Sequence, residues 1–547
     1  MDNLSKEQQY SRLDLAFAHF LAGRTLLEAR QKKALEPLLA KLSFQLSQGH
    51  SCIQLTKIEV RLIVDSGVVV EQGVAPLKLE QNRLYLHRYW FYEDRLAAQV
   101  KRLLHSVRVA EVSDALVNRY FIELIDEIDW QREAAIKVMK QSFSIITGGP
   151  GTGKTTTVVK ILALLQELAE LDKQPLHIAL AAPTGKAAMR LQESIGYSKS
   201  ALPCSELIKQ RIPETVTTLH RLLGAKPPSP YFKHDARQPL VYDLVVVDEA
   251  SMVDLALMSK LVDALKPGAR LVLLGDKDQL ASVESGAVLA DLSAALPEHA
   301  VELKKSHRFQ GEIKELAVAV NEQDFDGAWN ILNKGSLQVA LLQEELIEYI
   351  VSRYSAYLQK VKNDAEFSEI FTEFGQFQVL CSNRQGEQGV IDLNRKVEEL
   401  MQRQNKIHIA GQWYIGRPVM ITQNNAAMQL YNGDIGVCLL DKKQQKLAVY
   451  FLRPDGSVKK VLPSRVPEHE TVFAMTIHKS QGSEFDECLC VLPAVMNPVL
   501  TKELIYTAIT RAKSKLKIAS SYAVFSQALQ RRVNRTGGLY EKLIKEG

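Results

Sequence analysis

Short apolar runs, each followed by a stretch of helical periodicity, recur through the middle of the chain. These runs lie at residues 143–147, 176–182, 244–248 and 270–274. Strands that alternate with helices over this spacing are typical of an α/β fold with a parallel, doubly wound sheet. A second series of apolar runs begins at Phe377 and resumes at Glu487 and Leu516, which predicts a second α/β core.

The N-terminal part of the chain has a different pattern. It alternates helical stretches with short β-like runs and carries no recognisable chemical motif. Residues 55–70 favour a strand and residues 94–106 a helix. We therefore predict a small separate domain over residues 1–116, followed by a first core at 117–345 and a second core at 346–547.

A stretch inside the second core is poor in helical periodicity. Residues 411–466 show short alternating runs, with turn signals at Asn432-Gly433 and Asp455-Gly456. Alternation over a few residues between turns is typical of antiparallel strands. The pattern predicts a small β module inserted into the second α/β core.

Length and composition agree with several soluble domains. A chain of 547 residues is too long for one compact core. Lys and Arg number 68 and Asp and Glu 63, and the net charge of +5 permits nucleic-acid binding without itself indicating it. No run approaches the roughly 20 apolar residues of a membrane-spanning helix, and the polar N-terminus does not resemble a secretory signal. Six scattered cysteines fit reduced thiols, so we expect a cytoplasmic protein.

The segment after the first apolar run is rich in glycine. Residues 148–155 read GGPGTGKT and fit the pattern G-x-x-x-x-G-K-[ST], between a strand-like run and a helical one. In such a loop, backbone N–H groups cradle phosphates, the lysine adds a point charge and the hydroxyl binds Mg²⁺. We predict an ATP and Mg²⁺ site, with these residues around the phosphates: Gly148, Gly149, Pro150, Gly151, Thr152, Gly153, Lys154, Thr155 and Thr156.

Two later strand ends carry polar residues that suit the same site. Residues 244–249 read LVVVDE and place two carboxylates at the carboxyl end of a strand, where open α/β sheets bind ligands. Asp248 is suited to hold the Mg²⁺ shell with Thr155, and Glu249 to polarise the attacking water. Gln279 follows the next strand and is suited to orient that water or to sense the γ-phosphate.

A short motif occurs once in each predicted core. Thr218-Leu-His220 in the first core is echoed by Thr476-Ile-His478 in the second, and a basic residue follows each. Hydroxyls and imidazoles contact phosphates without reading base sequence. The pair fits two stations along one nucleic-acid backbone, although chance repetition accounts for it equally well.

The order of motifs over residues 131–513 resembles that of superfamily-1 helicases. The segments APTGKAA, TTLHRLLG, VVDEAS, GDKDQL and SHRF resemble, in this order, motif Ia, the segment after it, and motifs II, III and IV. The segments FAMTIHKSQGSEFD and IYTAITRAK resemble motifs V and VI. The N-terminal segment LSFQLSQGHSCIQL extends the likeness to the RecD-type subunits of exodeoxyribonuclease V.

This resemblance implies two RecA-like P-loop NTPase cores and a small β-barrel at residues 411–466. It implies an ATP-dependent DNA helicase that moves 5′ to 3′ on single-stranded DNA while it unwinds double-stranded DNA. It also implies a heterotrimer with RecB-like and RecC-like subunits, bound through residues 1–116, that acts in DNA degradation and in double-strand break repair by homologous recombination. No carboxylate cluster of a nuclease is visible outside the ATP site, so we expect any cutting to lie in another chain.

The resemblance also implies roles for individual residues. Arg308 and Arg511 resemble two arginines that reach the γ-phosphate from across a cleft, although a lone arginine is ordinarily expected to pair with surface acids. Gln131 by itself is typical of a surface glutamine, but its amide can pair with the adenine edge, and Gly482 and Glu484 join it at the nucleotide. The implied DNA contacts are Thr184, Lys186, Thr218, His220, Asn383, Arg384, Thr476, His478 and Lys479.

Three interpretations stay open at this point. The chain is a helicase subunit of a larger complex, a freestanding RecD-like helicase, or a structural or regulatory subunit with a vestigial ATPase. RecD2-type helicases carry a longer N-terminal part than the residues before Gln131, which favours the subunit. The intact Lys154, Asp248 and Gln279 argue against a vestigial site. A motor must pass any sequence, so we expect salt-sensitive binding of single strands with little sequence preference.

Overall fold

The computed structural model describes residues 10–69, 75–105, 114–121, 128–282, 284–305, 311–425, 427–453 and 456–545. Its strands form four sheets: one near the N-terminus, one in each core and one in the inserted module. Within these ranges no helix is both long and apolar enough to cross a membrane. The six cysteines are free thiols, and five of them are buried.

The N-terminal domain packs helices on a small antiparallel sheet. Its elements are α1 (Arg12–Gly23), α2 (Ala29–Ser47), β1 (Cys52–Gln54), α3 (Lys57–Asp65), β2 (Leu77–Glu80), β3 (Arg83–Leu86) and α4 (His87–Leu104). The strand order is β1-β3-β2, and the buried Leu35, Leu39 and Leu77 lie at the centre of the domain. The helix predicted at residues 94–106 is confirmed over residues 94–104 as the second half of α4, and residue 106 lies outside the described residues.

Residues 57–65 form a helix, so the strand predicted over residues 55–70 is wrong. The helix begins after Thr56, whose hydroxyl accepts from the N–H of Glu59 at 3.4 Å. The Glu59 carboxylate in turn accepts from the N–H of Thr56 at 2.7 Å. This reciprocal cap satisfies two N–H groups near the helix start. The β-branched run favours a strand locally, but the cap and the burial of Ile63 in the domain core favour the helix.

The first core is a parallel sheet with helices on both faces. Its elements are α5 (Asp114–Tyr120), α6 (Trp130–Lys140), β4 (Phe143–Thr147), α7 (Lys154–Leu171), β5 (Ile178–Ala182), α8 (Gly185–Ser200), α9 (Glu206–Arg211), β6 (Val216–Thr218), α10 (Leu219–Leu223), β7 (Leu244–Val247), α11 (Leu255–Asp263), β8 (Arg270–Gly275), α12 (Val288–Ala295) and β9 (Ala300–Glu302). The strand order is β6-β5-β7-β8-β4-β9 and the pairings are parallel, as predicted.

Burial on both faces explains the continuous apolar runs of this core. Ile146 and Val246 belong to one buried cluster, whereas their neighbours Ile145 and Val245 belong to another. Successive strand residues face opposite sides of a sheet, so a strand covered on both sides is apolar throughout. Because β7, β8 and β4 are parallel neighbours in the sheet, their carboxyl ends lie side by side.

The second core is also a parallel sheet. Its elements are α13 (Glu312–Glu322), α14 (Phe325–Lys334), β10 (Val339–Leu341), α15 (Leu346–Arg353), α16 (Ser355–Lys362), α17 (Phe367–Gln376), β11 (Phe377–Cys381), α18 (Val390–Arg403), β17 (Ala474–Thr476), β18 (Phe485–Val491), α19 (Lys502–Ile509), β19 (Ala512–Ala519) and α20 (Tyr522–Gln530). The strand order is β10-β19-β18-β11-β17. The sheet and its buried cluster include Val339 and Leu316, which precede the predicted boundary at residue 346.

The inserted module is an antiparallel sheet, as the alternating pattern predicted. Its strands are β12 (Arg417–Ile421), β13 (Ile435–Asp441), β14 (Lys446–Leu452), β15 (Val458–Val461) and β16 (His469–Thr471). The order is β15-β14-β13-β12-β16. Val419, Cys438 and Val449 are fully buried in the hydrophobic cluster of this module. The last strand lies wholly beyond the predicted end at residue 466, so the predicted range is too short. Closure into a barrel stays a prediction.

The last residues of the chain return from the second core to the first. After α20, residues 531–538 lead into α21 (Leu539–Ile544). Leu539 and Leu543 of this helix are buried in the first core's cluster, together with Leu96 of α4 and Leu292 of α12. Both ends of the second core are therefore connected to the first core.

Candidate active site

The glycine-rich loop joins the end of β4 to the start of α7. Gly151 and Gly153 have φ of 75° and 81°, a left-handed conformation that side chains with a Cβ rarely adopt. The helix begins at Lys154, so its partly positive N-terminus and the loop's N–H groups face the same space. This arrangement is suited to bind an anion such as a phosphate.

The Lys154 ammonium lies against its own loop. Its Nζ donates to the carbonyl oxygens of Gly148 at 2.6 Å and Gly149 at 3.0 Å. Thr155 and Thr156 follow on the first turn of α7, and they line a cavity that Lys154 also lines. The positive charge therefore stands next to the anion-binding loop, as the motif predicts.

Two carboxylates, one half-buried (Asp248) and one buried (Asp276), face this loop from neighbouring strand ends. Asp248 follows β7, and its pKa is raised mainly because it is buried, and further by the Glu249 carboxylate beside it. Asp276 follows β8, and burial raises its pKa to about 6. The charge of Lys154 opposes both shifts in part. Buried carboxyl groups with raised pKa favour a cation among them, so the donor set fits Mg²⁺.

Glu249 has an unusual backbone conformation next to Asp248. Its φ of 51° and ψ of 39° lie in the left-handed region, although it carries a full side chain. Its N–H donates to the Asp248 carboxylate at 2.9 Å. Such a conformation costs about 1–3 kcal/mol and is concentrated at functional sites. It turns the two consecutive carboxylates toward one cavity, which both residues line.

Arg511 reaches the first core from the second. It is buried, and its Nη2 donates to the Gln279 Oε1 at 2.9 Å. Its other nitrogens donate to backbone oxygens of its own core, Nη1 to Ser483 at 3.0 Å and Nε to Thr507 at 3.2 Å. The predicted arginine and the predicted glutamine are therefore direct partners across the cleft.

The same cleft holds two residues that the sequence motifs contain but that the sequence analysis did not single out. The Gln279 amide donates to the Asp276 carboxylate at 3.0 Å, and the Tyr506 hydroxyl of α19 donates to the same carboxylate at 3.1 Å. Asp276 lies in GDKDQL and Tyr506 in IYTAITRAK, but neither segment reveals which of its polar residues is buried. Their burial depends on how the two cores meet.

One cavity of about 1030 Å³ joins these groups. Its walls come from both cores: Gln131 belongs to the first core, and Gly482 and Glu484 belong to the second. Of the predicted phosphate-binding residues, Gly148, Gly149 and Thr152 belong to the loop but do not line the cavity. Arg308 lies outside the described residues, so its predicted contact with the γ-phosphate stays a prediction. Further residues of the wall come from α8: Arg190, Glu193, Ser194 and Tyr197.

The two T-x-H motifs have the same local structure. Thr218 ends β6 and Thr476 ends β17, the edge strands of their sheets. Each threonine hydroxyl accepts from an N–H three residues on, that of Arg221 or of Lys479, at 3.3 Å. A short helical turn follows in both cases. The motifs therefore occupy equivalent positions in the two cores.

The histidines of these motifs differ in their surroundings. His220 is exposed, and its ring centroid lies 5.7 Å from that of Phe232. His478 is half-buried, and burial followed by the charge of Arg535 lowers its pKa. An imidazole with a lowered pKa is neutral near pH 7 and contacts a phosphate as a hydrogen-bond donor only.

Thr184 and Asn383 follow the strands next to these edges. Thr184 follows β5 and caps α8, its hydroxyl accepting from the N–H of Ala187 at 3.2 Å. Asn383 follows β11 and its Oδ1 accepts from the Nδ2 of Asn497 at 3.1 Å. Each core thus presents two neighbouring strand ends with polar side chains.

Two basic residues of the predicted track, Arg384 and Lys479, have protein partners, and a third, Lys186, has a shifted pKa. Arg384 pairs with Glu470 at 3.0 Å and is 61% exposed, so it is accessible to a second partner. The Lys479 Nζ donates to Asn432 of the inserted module at 2.7 Å. Burial, and then the charge of Arg190, lowers the pKa of Lys186 to about 8. A lysine in such surroundings is stabilised by an anion.

Four family models match the chain. One described as an AAA domain matches residues 131–285, and one described as a UvrD-like helicase C-terminal domain matches 471–519. The N-terminal domain of RecBCD enzyme subunit RecD matches residues 6–66. The ATP-dependent RecD-like DNA helicase SH3 domain matches residues 393–451.

Known proteins are similar over most of the chain. RecBCD enzyme subunit RecD of Mycolicibacterium smegmatis is 40% identical over 86% of this chain and 84% of its own length. The subunit of the same name from Haemophilus influenzae is 36% identical over 86% of this chain and 82% of its own length. The ATP-dependent RecD2 DNA helicase of Deinococcus radiodurans is 32% identical, over 73% of this chain but 50% of its own length.

Proposed function

The chain belongs to the RecD family of RecBCD enzyme subunits, and from this premise we propose that it is an ATP-driven DNA helicase subunit. One observation carries the proposal beyond the family. The cavity lined by the glycine-rich loop, Asp248 and Asp276 is also lined by Arg511 of the second core. Chemistry in such a cavity depends on how far apart the cores stand.

The nucleotide site uses residues of the first core to bind and those of both cores to react. The loop N–H groups and Lys154 hold the phosphates, and Gln131 pairs with the base at the cavity's edge. Glu249 takes a proton from the attacking water, which Gln279 orients. Arg511 stabilises the charge that spreads over the transferred phosphoryl group.

Thr155 and Asp248 are the residues that would hold Mg²⁺. The raised pKa of the half-buried Asp248 supports this assignment, because a bound cation would stabilise its ionised form. When bound, the metal neutralises charge on the phosphate oxygens. The role of the chain is to keep both oxygen ligands beside the loop.

The bond between Arg511 and Gln279 links hydrolysis to movement of the cores. In this structure the Arg511 guanidinium has protein partners on three sides. A γ-phosphate competes with Gln279 for the same guanidinium, so nucleotide binding and release change the contact between the cores. Repeated changes of this kind move one core relative to the other.

The DNA track follows the carboxyl ends of the strands at the edges of both sheets. Thr184 and Thr218 of the first core and Asn383 and Thr476 of the second provide equivalent pairs of polar groups. Contacts of this type grip the backbone and ignore the bases. Two grips whose spacing changes with the cleft move the chain along one strand, 5′ to 3′ as in the helicases it resembles.

We expect the purified chain to hydrolyse ATP in the presence of Mg²⁺, and at least 10-fold faster with single-stranded DNA. Phosphate release would be measured with oligonucleotides of mixed and uniform sequence at 50 and 200 mM salt. Stimulation should be similar for all sequences and weaker at the higher salt, because backbone contacts release counterions. An ATPase that ignores DNA at both salt concentrations contradicts the motor proposal.

We further propose that residues 1–116 bind the RecB-like and RecC-like chains of the complex. Large apolar side chains are exposed in this domain, among them Leu26 at 103% and Ile58 at 81%. Leu13 and Phe20 of α1 are also exposed and lie seven residues apart, which places them on one face of the helix. Exposed apolar faces of this kind are typical of protein interfaces.

The partner proposal is tested on the double variant Leu26→Glu, Ile58→Glu. Charged residues at an apolar interface disfavour association, so we expect recovery of RecB-like and RecC-like chains to fall at least 10-fold. The control is Leu171→Glu, an equally exposed leucine (78%) at the end of α7 in the first core. Mass spectrometry of the material co-purified from native cells provides the measurement. Equal recovery with the double variant and the control contradicts the assignment.

A further inference from the structure

The segment that returns from the second core to the first contains a half-buried arginine. Residues 531–538, here called the return segment, cross between α20 and α21. Arg535 lies in its middle and is half-buried. Burial lowers the pKa of Arg535, and the carboxylate of Asp291 opposes this shift. An arginine with this much contact is not a solvated surface charge.

Arg535 binds the backbone of the loop that follows Gln279. Its Nη1 donates to the carbonyl oxygens of Glu284 at 2.7 Å and Gly286 at 2.8 Å, and its Nη2 donates to that of Ser282. Three carbonyl oxygens thus converge on one guanidinium. Only arginine among the side chains offers several donors in a fixed plane at this reach.

The return segment is held by the N-terminal domain directly after Arg535. The N–H of Thr536 donates to the Nδ1 of His50 at 2.8 Å, and its carbonyl oxygen accepts from the N–H of Ser51 at 3.0 Å. The N–H of Gly538 donates to the buried Glu93 carboxylate at 3.1 Å. Because these contacts fix the main chain, the guanidinium is a fixed point for the loop.

The other end of the loop begins next to Gln279, the residue proposed to orient the attacking water. Gln279 meets Arg511, and the next residue, Leu280, is held by the second core. Its N–H donates to the Thr507 hydroxyl at 3.0 Å, and its carbonyl oxygen accepts from the Gln481 amide at 3.1 Å. The loop is therefore attached to the second core at its start and to Arg535 at its end.

We propose that Arg535 is a positioning residue for ATP hydrolysis, acting through the loop on Gln279. The inference rests on the proposed function, since it assigns a role in that same reaction. With its end fixed by Arg535, the loop presents Gln279 in one orientation to the attacking water and to Arg511.

The test compares Arg535→Gln with the control Arg532→Gln. Arg532 lies three residues earlier, is exposed, and donates to Gln323 within the second core at 2.6 Å. We expect the DNA-stimulated kcat of Arg535→Gln to fall about 10-fold with the KM for ATP within twofold of wild type. A displacement of about 1 Å at a remote support can reduce a rate by up to 10²-fold, while the ATP-binding loop itself is untouched. The control should keep wild-type kcat and KM.

A purely structural tether would lower the melting temperature and leave kcat of the folded fraction unchanged. Rates are therefore measured at least 10 °C below each melting temperature and divided by active-site concentration from nucleotide binding. If Arg535→Gln does not fold, Arg535→Lys is used instead, because lysine keeps the positive charge but lacks the planar guanidinium that donates to three carbonyl oxygens. The kcat of this variant should fall at least threefold. A folded variant whose kcat stays within twofold of wild type, or whose KM alone changes, overturns the inference. Loss of DNA stimulation in the wild type itself would instead overturn the proposed function.

Discussion

Replacing Arg511 by Ala should lower kcat for ATP about 10³–10⁵-fold while the protein stays folded. An arginine that reaches the γ-phosphate from across a cleft contributes a rate factor of this size. It corresponds to about 4–7 kcal/mol of transition-state stabilisation. In this protein the guanidinium is buried and stands 2.9 Å from Gln279, so it is already within reach of the site. Single-turnover hydrolysis with saturating ATP and single-stranded DNA measures the effect.

Arg511→Lys separates charge from shape. Lysine keeps the positive charge but cannot hold Gln279, Ser483 and Thr507 at once, so we expect an intermediate rate, nearer to that of Ala. Arg532→Ala, on the surface of the same core, is the control and should retain full activity. ATP binding by Arg511→Ala should weaken less than 10-fold, because the binding loop lies in the first core. A kcat within 10-fold of wild type for folded Arg511→Ala would remove Arg511 from the reaction.

The part of the site that the sequence predicted is the part encoded in short segments. Lys154 and Asp248 each lie in a short segment whose pattern predicts both a strand and the loop that follows it. Apolar runs followed by helices were sufficient to predict both parallel sheets, since burial on two faces requires such runs. Local patterns of this kind need no knowledge of distant residues.

The part that the sequence did not predict depends on contacts between distant segments. Arg535 and the loop that it binds are about 250 residues apart, and no motif marks Arg535. The burial of Asp276 and Tyr506 appears only where the cores meet. The helix at residues 57–65 was missed for a different reason, because its β-branched run favours a strand until the Thr56 cap is considered.

The repeated T-x-H motif gained most from the structure. In the sequence, chance and function explain it equally well. In the fold, both copies end edge strands of parallel sheets and both threonines cap the turn that follows. Chance does not favour the same strand position and the same cap in two cores, so the geometry supports the interpretation as paired backbone contacts.

Replacing Lys154 by Gln should lower kcat/KM for ATP at least 10²–10³-fold. Removal of one preorganised donor from a developing negative charge costs this much in other enzymes, and here a full positive charge is lost as well. The described partners of the Lys154 ammonium are two carbonyl oxygens of its own loop, so the fold should survive. Lys160→Gln is the control, because Lys160 lies on the same helix and contacts the Phe121 ring at 5.2 Å instead. Steady-state ATPase rates of both variants provide the measurement.

The same substitution makes a second, independent prediction about stability. Burial raises the pKa of Asp276 to about 6 and Lys154 opposes that shift, so the pKa rises further when the lysine is lost. A carboxyl whose pKa is raised in the fold costs stability as pH rises from its unfolded pKa of about 4 to its folded pKa, and the loss is complete above the folded pKa. Wild type and variant therefore begin to differ only above the wild-type pKa of about 6, where the wild-type carboxyl ionises and that of the variant does not. Without Mg²⁺ and nucleotide, the melting temperature of Lys154→Gln should therefore lie further below wild type at pH 8 than at pH 5.5. Lys160→Gln should show no such pH dependence. If the melting-temperature difference between Lys154→Gln and wild type is the same at pH 8 and pH 5.5, Lys154 does not stabilise the ionised form of Asp276. A loss of ATPase activity would then reflect only the role of Lys154 in catalysis.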